Sequence, residues 1–194
     1  FFIKLVNATS YINLIPKSAS INVNSLITLD VNASIVQDDL YGYEFEINYD
    51  SSKLSLAGIN NITEGNFLSQ SGTFKTHFNV KSAGGGLIVV YSSRNGSVLG
   101  AKGSGTLARI QFLSAATGTS LVKITKVKFV NSTINNQSVR EIIPVLTDNS
   151  TVTISTGSLP CTITSAIWNQ TLVNENNYVE ARVTGSNCDG KQIN

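Results

Sequence analysis

The feature that most constrains the fold of this chain is a strict alternation of apolar and polar residues in the segment 40–56, LYGYEFEINYDSSKLSL. In an extended backbone its apolar side chains all point to one side: Tyr43, Phe45, Ile47 and Tyr49. The polar side chains between them point to the other side: Glu44, Glu46 and Asn48. A period of two is typical of a half-buried β-strand. The residues DSS that follow predict a turn, after which Leu54 and Leu56 resume the alternation.

The same pattern recurs along residues 9–155, where short alternating segments are separated by Asn, Gly and Asp. One of them, GSGTLARIQF at residues 103–112, begins with a glycine turn and places Ala108, Ile110 and Phe112 on one face. No window has a sustained helical period. We therefore predict nine strands: 11–16, 25–34, 42–49, 53–59, 74–80, 87–93, 105–114, 120–130 and 151–155. Regular short strands with turn signals indicate an all-β sandwich or barrel.

These segments resemble the cohesin family, the β-sandwich modules that bind dockerins in extracellular assemblies. The family's run of Asp or Asn, an aliphatic residue, Tyr-Gly, a strand and Tyr-Asp-x-x-x-Leu reads DLYGYEFEINYDSSKLSL here. Its later run, Gly-x-Gly-x-Leu-Ala-x-Ile-x-Phe, reads GSGTLARIQF. The resemblance implies a nine-stranded jelly-roll β-sandwich, and related sandwiches, including some carbohydrate-binding modules, share many of these motifs.

The composition changes after residue 155, which predicts a domain boundary. Residues 156–160, TGSLP, are typical of a linker. Residues 161–194 begin a new alternating pattern, which predicts a short C-terminal β extension. This extension resembles an incomplete immunoglobulin-like domain. The opening segment 1–8, FFIKLVNA, has three open interpretations: the tail of a signal peptide, a leading strand or the end of an upstream domain. Lys4 within the apolar stretch argues against the signal peptide.

Composition indicates an extracellular or cell-surface protein. Charged residues make up 13% of the chain, about half of the ordinary share, and Asn, Ser and Thr supply the polarity instead. Eight N-x-Ser/Thr sequons are candidate glycosylation sites: Asn7, Asn32, Asn61, Asn95, Asn131, Asn136, Asn149 and Asn169. No basic cluster indicates nucleic-acid binding, and no stretch is long enough to span a membrane.

The two cysteines, Cys161 and Cys188, both lie in the last segment of the chain. In an exported protein such a pair predicts a disulfide. A metal site needs more ligands, and the one histidine, His77, is far away in sequence.

The residues do not predict an active site or a cofactor. His77 is interpreted as a surface strand residue, and Glu44 and Glu46 lack any sign of the cleft that paired catalytic carboxylates need. A structural calcium ion is conceivable at the loop carboxylates of Asp38, Asp39, Asp50 and Asp148, but calcium requires six or more converging oxygens. Asp50 is better explained as the cap of its own turn.

The best site hypothesis is a flat protein-binding face. In cohesins the dockerin docks on the sheet that carries the third, fifth, sixth and eighth strands. We assign strand 42–49 as the third and residues 106–113 as the eighth, and expect Arg109 to pair with Glu44 or Glu46 if the two are neighbours. Six outward residues then form the predicted partner-binding set: Glu44, Glu46, Asn48, Leu107, Arg109 and Gln111.

The sequence therefore predicts a non-catalytic binding module for assembly or adhesion at the cell surface, with a dockerin-like or other surface protein as its partner. Two alternatives remain open. A carbohydrate-binding module would need exposed coplanar rings, for which Tyr41 and Tyr91 are the candidates. A structural subunit of an extracellular filament or surface layer would self-assemble by inserting residues 1–15 into a neighbour's sheet.

Overall fold

The alternating segments form β-strands in the computed structural model, which describes residues 10–56, 59–132, 145–157, 162–168 and 181–186. The described residues contain no α-helix, which confirms the all-β prediction. Among them there is no helix long and apolar enough to cross a membrane. The chain divides into two compact units, residues 1–155 and 156–194. Strands of the first unit are numbered in chain order: β1 Ser10–Ile15, β2 Ser18–Asn22, β3 Leu26–Leu40, β4 Gly42–Asn48, β5 Leu54–Ser55, β6 Ile62–Glu64, β7 Asn79–Gly84, β8 Leu87–Ser93, β9 Ala101–Ser114, β10 Gly118–Val130, β11 Val145–Asp148 and β12 Ser150–Ser155.

These strands form two mixed sheets. Sheet 1 has the order β11-β1-β3-β9-β5, with β6 also paired to β9. Sheet 2 has the order β2-β12-β10-β4-β8-β7. A single 3₁₀ turn, Ile59–Asn61, precedes β6.

The core lies between the two sheets and is built from the alternating apolar residues. Tyr43, Phe45 and Ile47 are buried on the inner side of β4, as the period of two predicts. Across the core, the Tyr49 ring meets the Phe112 ring of β9 edge to face at 5.1 Å. The alternation therefore determines which side of each sheet is enclosed.

Near each end of the first unit, the chain crosses from sheet 1 to sheet 2, and the two crossings lie side by side. Strand β1 pairs in parallel with β11, and β2 pairs in parallel with β12. At the crossing point, the buried Ser150 hydroxyl donates to the Pro16 carbonyl at 2.7 Å, and the Thr151 amide donates to the Lys17 carbonyl at 2.9 Å. These two hydrogen bonds join chain segments that are more than a hundred residues apart.

Strand boundaries differ from the prediction in two segments. The predicted strand 53–59 is reduced to β5, and the predicted strand 74–80 is displaced to Asn79–Gly84. Three short strands were not predicted: β2, β6 and β11. Each is five residues or fewer, too short for a period of two to stand out from the sequence.

In the second unit, β13 (Thr162–Trp168) and β14 (Ala181–Ser186) pair antiparallel, with Thr162 opposite Ser186. The predicted disulfide between Cys161 and Cys188 lies outside the described residues. So does the opening segment 1–8.

Candidate functional site

The predicted partner-binding set does not form one surface, because its two strands lie in different sheets. Strand β4 belongs to sheet 2, whereas the segment 106–113 lies within β9 of sheet 1. The expected pairing of Arg109 with Glu44 or Glu46 is therefore wrong. Counted over the nine predicted strands, 105–114 is the seventh and 120–130 is the eighth, so the error was one of strand assignment.

Leu107 was predicted to point outward, and this is also wrong: its side chain is 0% exposed. In the pairing of β3 with β9, Val31 lies opposite Ala108 and Asn32 lies opposite Thr106, so Leu107 is the extra residue of a β-bulge. A bulge shifts the alternation by one residue, which buries both Leu107 and Ala108. The Tyr43 hydroxyl and the Gly65 amide both donate to the Leu107 carbonyl, each at 2.8 Å.

Arg109 and Gln111 lie on the outer face of sheet 1. The Arg109 guanidinium is 3.3 Å from the carboxylate of Asp30, its partner in the register of β3 and β9. Gln111 is half-buried and lines a shallow polar groove of about 210 Å³ beside the 3₁₀ turn, together with Thr28, Asn60, Asn61, Thr63 and Arg109.

Glu44 and Glu46 lie on the outer face of sheet 2, where one lysine of β10 binds both. The Lys126 ammonium is 3.5 Å from Glu44 and 3.1 Å from Glu46. The hydrogen bond to Glu46 and the charges of both carboxylates raise the pKa of Lys126 above its usual value. This shared cation makes the two carboxylates an ion-paired cluster and not a general acid–base pair.

The outer side chains of β10, β4 and β8 form three parallel rows on this face. Asn48, Glu46 and Glu44 form the middle row, along β4. On one side, β10 contributes Lys123, Lys126 and Lys128 opposite them. On the other side, β8 contributes Leu87, Val89 and Tyr91. We refer to these nine residues as the sheet 2 face.

The apolar row of the sheet 2 face is partly open to solvent. Leu87 is 37% and Tyr91 is 39% exposed. Val89 is 7% exposed but does not belong to the central core, because it points outward between them. Tyr41, the other aromatic candidate, is half-buried and donates its hydroxyl to the Gly96 carbonyl at 2.7 Å. Only one of the two predicted sugar-stacking rings is therefore exposed.

A buried polar cluster at one end of the sandwich was not predicted from the sequence. Arg94 is 2% exposed, and its guanidinium donates to the carbonyls of Leu68 and Leu99 and lies 3.9 Å above the centre of the Phe74 ring. Burial lowers the pKa of Arg94, while the charge of Asp39 opposes that shift. No sequence signal distinguishes this arginine, since its partners are backbone carbonyls of separate loops.

Asp39 organises the same end of the sandwich. Its carboxylate accepts hydrogen bonds from the Gly100 amide at 2.7 Å and from the amide and hydroxyl of Ser132 at 3.1 and 2.6 Å. Burial raises its pKa, but these hydrogen bonds outweigh burial and hold the pKa below its usual value.

The carboxylates considered for calcium are engaged separately. Asp50 caps its turn, as predicted, by accepting from the Ser52 amide at 3.0 Å, and Lys53 binds the same carboxylate at 2.8 Å. These contacts lower the pKa of Asp50 to about 2. Asp148 pairs with Lys17 at 2.7 Å. Within the described ranges, no group of three or more His, Cys, Asp or Glu side chains is placed to hold a metal ion.

His77 is exposed, and its backbone amide donates to the Ser93 carbonyl at 2.8 Å. This placement agrees with the interpretation as a surface residue, but residue 77 precedes β7 and is not part of a strand. Five of the sequon asparagines are described: Asn32, Asn61, Asn95, Asn131 and Asn149. The other three, Asn7, Asn136 and Asn169, lie outside the described residues.

Comparison with solved structures identifies the same fold in known proteins. The seventh ScaB type I cohesin from Pseudobacteroides cellulosolvens matches with a TM-score of 0.61 and 16% identity, over 78% of this chain and 95% of that one. A non-cellulosomal cohesin from the archaeon Archaeoglobus fulgidus matches with a TM-score of 0.57 and 19% identity, over 77% and 93%. A type I cohesin–dockerin complex of OlpC from Clostridium thermocellum matches with a TM-score of 0.59 and 11% identity, over 80% and 99%.

No curated protein matches the chain. The family described as the cohesin domain matches residues 12–154, nearly the whole of the first unit. The fold and this match together confirm the resemblance seen in the sequence: the chain belongs to the cohesin domain family.

Proposed function

We propose that this chain is a non-catalytic, extracellular module that binds a dockerin-like or other surface protein through the sheet 2 face. One observation carries the proposal. The third, fifth, sixth and eighth predicted strands correspond to β4, β7, β8 and β10, and these four are consecutive neighbours in sheet 2. In cohesins that set of strands is the dockerin-binding sheet, and the face found here replaces the mixed set inferred from the sequence.

The physical properties of the sheet 2 face support a docking role. Its strands are hydrogen-bonded on both sides at β4 and β8, so the backbone is held in place before any partner arrives. Exposed Tyr91 and Leu87 offer apolar area, and aromatic residues are enriched at protein interfaces. A partner that covers these side chains removes them from water at little conformational cost.

The two alternative functions have less support. Binding to a flat polysaccharide needs a row of rings, and Tyr91 is the one exposed ring of the predicted pair. Strand donation to a neighbour needs an unpaired segment, but β1 is already paired to both β3 and β11.

The proposal is tested by photo-cross-linking with the full chain. A photoreactive phenylalanine is placed at Tyr91 in one variant and at Tyr11 in the other. Both tyrosines are similarly exposed, at 39% and 43%, but they lie on the outer faces of different sheets. Each variant is irradiated with the secreted and envelope fractions of the source organism.

A protein adduct that forms from position 91 and not from position 11 supports docking on the sheet 2 face. Adducts from position 11 alone, or equal adducts from both positions, contradict it. Adducts that contain only this chain would instead favour self-assembly.

We also propose the Cys161–Cys188 disulfide within the second unit. The described strands support it, because Thr162 lies opposite Ser186. In sequence, Cys161 comes just before Thr162 and Cys188 comes shortly after Ser186. An isolated two-stranded unit is marginal in water, and closing a loop of this size contributes roughly 3 kcal/mol on the chain-entropy model. Thiol titration of the denatured, non-reduced chain should detect no free thiol, and two free thiols would contradict the pairing.

Glycosylation is proposed for accessible sequons. Asn95 is exposed beside a turn with Gly96 at φ 79°, whereas the Oδ1 atom of Asn32 is enclosed within β3. The Asn149 carboxamide accepts a hydrogen bond from the Ile124 amide at 3.0 Å. Peptide mapping of the native protein should therefore detect glycan at Asn95 before Asn32, and the reverse order would contradict this ranking.

A further inference from the structure

The sheet 2 face carries an uneven distribution of charge that restricts the chemistry of its partner. This step rests on the proposed docking function and goes beyond it, since it concerns which kind of protein surface the face accepts. The relevant positions are the lysine row of β10 and the apolar row of β8, on either side of β4.

The acidic row is partly neutralised within the chain, because one lysine offsets one of its two negative charges. Lys126 binds both Glu44 and Glu46, at 3.5 and 3.1 Å, so the two carboxylates have a cation between them before a partner arrives. A basic partner would have to displace Lys126 to reach them.

The other two lysines of the row are not engaged in this way. Lys123 and Lys128 are exposed and form no ion pair with any described residue. They lie opposite Asn48 and Glu44, four positions apart along β4, which separates them by about 13 Å. They therefore flank the Glu44–Glu46–Lys126 cluster with two positive charges that are available to a partner.

The apolar row lies on the opposite side of the cluster. Tyr91 pairs with Glu44 and Leu87 pairs with Asn48, so each end of this row is level with one of the free lysines. The lysine row of β10 and the apolar row of β8 are two strand spacings apart, a distance of about 10 Å. A single protein surface can cover both rows at once.

We infer that the partner of the sheet 2 face is a protein surface that places carboxylates over Lys123 and Lys128 and apolar side chains over Leu87 and Tyr91. Charge complementarity disfavours a basic surface, since the sheet 2 face carries three lysines against two carboxylates, and both carboxylates already bind Lys126.

The test uses two displayed peptide libraries that differ only in charge. Both vary over Leu, Ile, Phe, Tyr, Ser and Gly, with Asp and Glu as the charged residues in one and Lys and Arg in the other. Each library is selected on the full chain. Binders are then measured on Lys123→Gln/Lys128→Gln, on Tyr91→Ser, and on the control Lys75→Gln/Lys102→Gln, which removes two exposed lysines elsewhere.

We expect binders from the acidic library. Their affinity should fall about tenfold in Lys123→Gln/Lys128→Gln, fall in Tyr91→Ser, decrease as salt is added, and stay unchanged in the control. Far-UV circular dichroism verifies that each variant is folded.

Three results would overturn the inference: binders that come mainly from the basic library, acidic binders that lose as much affinity in the control, or no binders that depend on Lys123 and Lys128. The docking role itself is judged separately, because cross-linking from position 91 does not depend on the charge of the partner. A cross-linked partner with a basic contact surface would leave docking intact and refute the acidic assignment.

Discussion

Arg94 and Lys126 are both cations held by groups from neighbouring segments, but Arg94 is enclosed and Lys126 is in contact with solvent. The Arg94 guanidinium binds backbone carbonyls of two loops, so its position is tied to the fold of residues around 68 and 99. The Lys126 ammonium binds side chains on the surface, where water can replace either partner. Charge in the first region therefore fixes backbone structure, whereas charge in the second lies on the surface that we propose for docking.

The largest expected effect comes from the buried cation. Arg94→Met should lower the free energy of unfolding by about 3–5 kcal/mol, because the carbonyls of Leu68 and Leu99 lose the charged donors of a buried side chain. Arg109→Met is the matched control, since its side chain is half exposed and its ion pair with Asp30 contributes less than about 1 kcal/mol. Urea titration measures both variants. Equal losses of unfolding free energy in the two variants would show that burial does not make Arg94 more important for stability than an exposed cation.

The acidic member of the buried cluster should have a smaller effect. Asp39→Asn replaces a carboxylate that accepts from Gly100 and twice from Ser132, and should cost about 1–2 kcal/mol. The same titration measures it, with Asp30→Asn as a half-buried counterpart on the outer face of sheet 1. A loss no greater than that of Asp30→Asn would argue against a structural role for Asp39.

Removal of one neutral hydrogen bond from the core should cost less again. Tyr43→Phe deletes the bond to the Leu107 carbonyl, but that carbonyl keeps the Gly65 amide as a donor. The expected loss is about 1 kcal/mol in urea unfolding. A loss above that of Asp39→Asn would indicate that the bulge at Leu107 needs both donors.

Acid should lower the free energy of unfolding, because two carboxylates have lowered pKa values in the folded state. Asp39 and Asp50 both titrate below their usual range when folded, Asp50 at about 2. Such groups stabilise the folded state above the unfolded pKa near 3.8, and that contribution is lost as the pH falls toward 2. Urea midpoints between pH 5 and pH 2 should fall less steeply in Asp39→Asn and Asp50→Asn than in the unaltered chain, and parallel slopes would contradict this.

The smallest expected effect on stability belongs to the exposed cluster. Lys126→Gln should leave the urea midpoint near that of the unaltered chain, because both ion pairs are open to solvent. The raised pKa of Lys126 means that its contribution is complete below pH 10.5 and is lost only at higher pH, so no change is expected between pH 5 and pH 9. A marked loss at neutral pH would place Lys126 with Arg94 as a structural cation.

The sequence predicted the core side of the sandwich better than its outer side. The alternation at Tyr43, Phe45 and Ile47 identified buried positions directly, because strand geometry alone connects period to burial. It failed at Leu107, because a bulge depends on how β9 meets β3 and has no fixed residue type.

The polar contacts depend on tertiary structure to a greater extent. Lys126 was not recognised as the partner of Glu44 and Glu46, since the assignment of the eighth strand determines which cation faces them. Arg94 was missed because nothing in its local sequence distinguishes a buried arginine from a solvated one. Pairing between strands was therefore the information that the sequence pattern lacked.

The parallel pairing of the first two strands with the last two has a consequence for the order in which the chain is made. The Pro16 carbonyl and its donor Ser150 are 134 residues apart, so β1 and β2 have left the ribosome long before β11 and β12 exist. Strand β2 has no other strand partner in its sheet, so its ladder hydrogen bonds form only when residues 150–155 arrive. During synthesis β2 is thus open to wrong strand partners, and the sandwich closes only when its final strand is made.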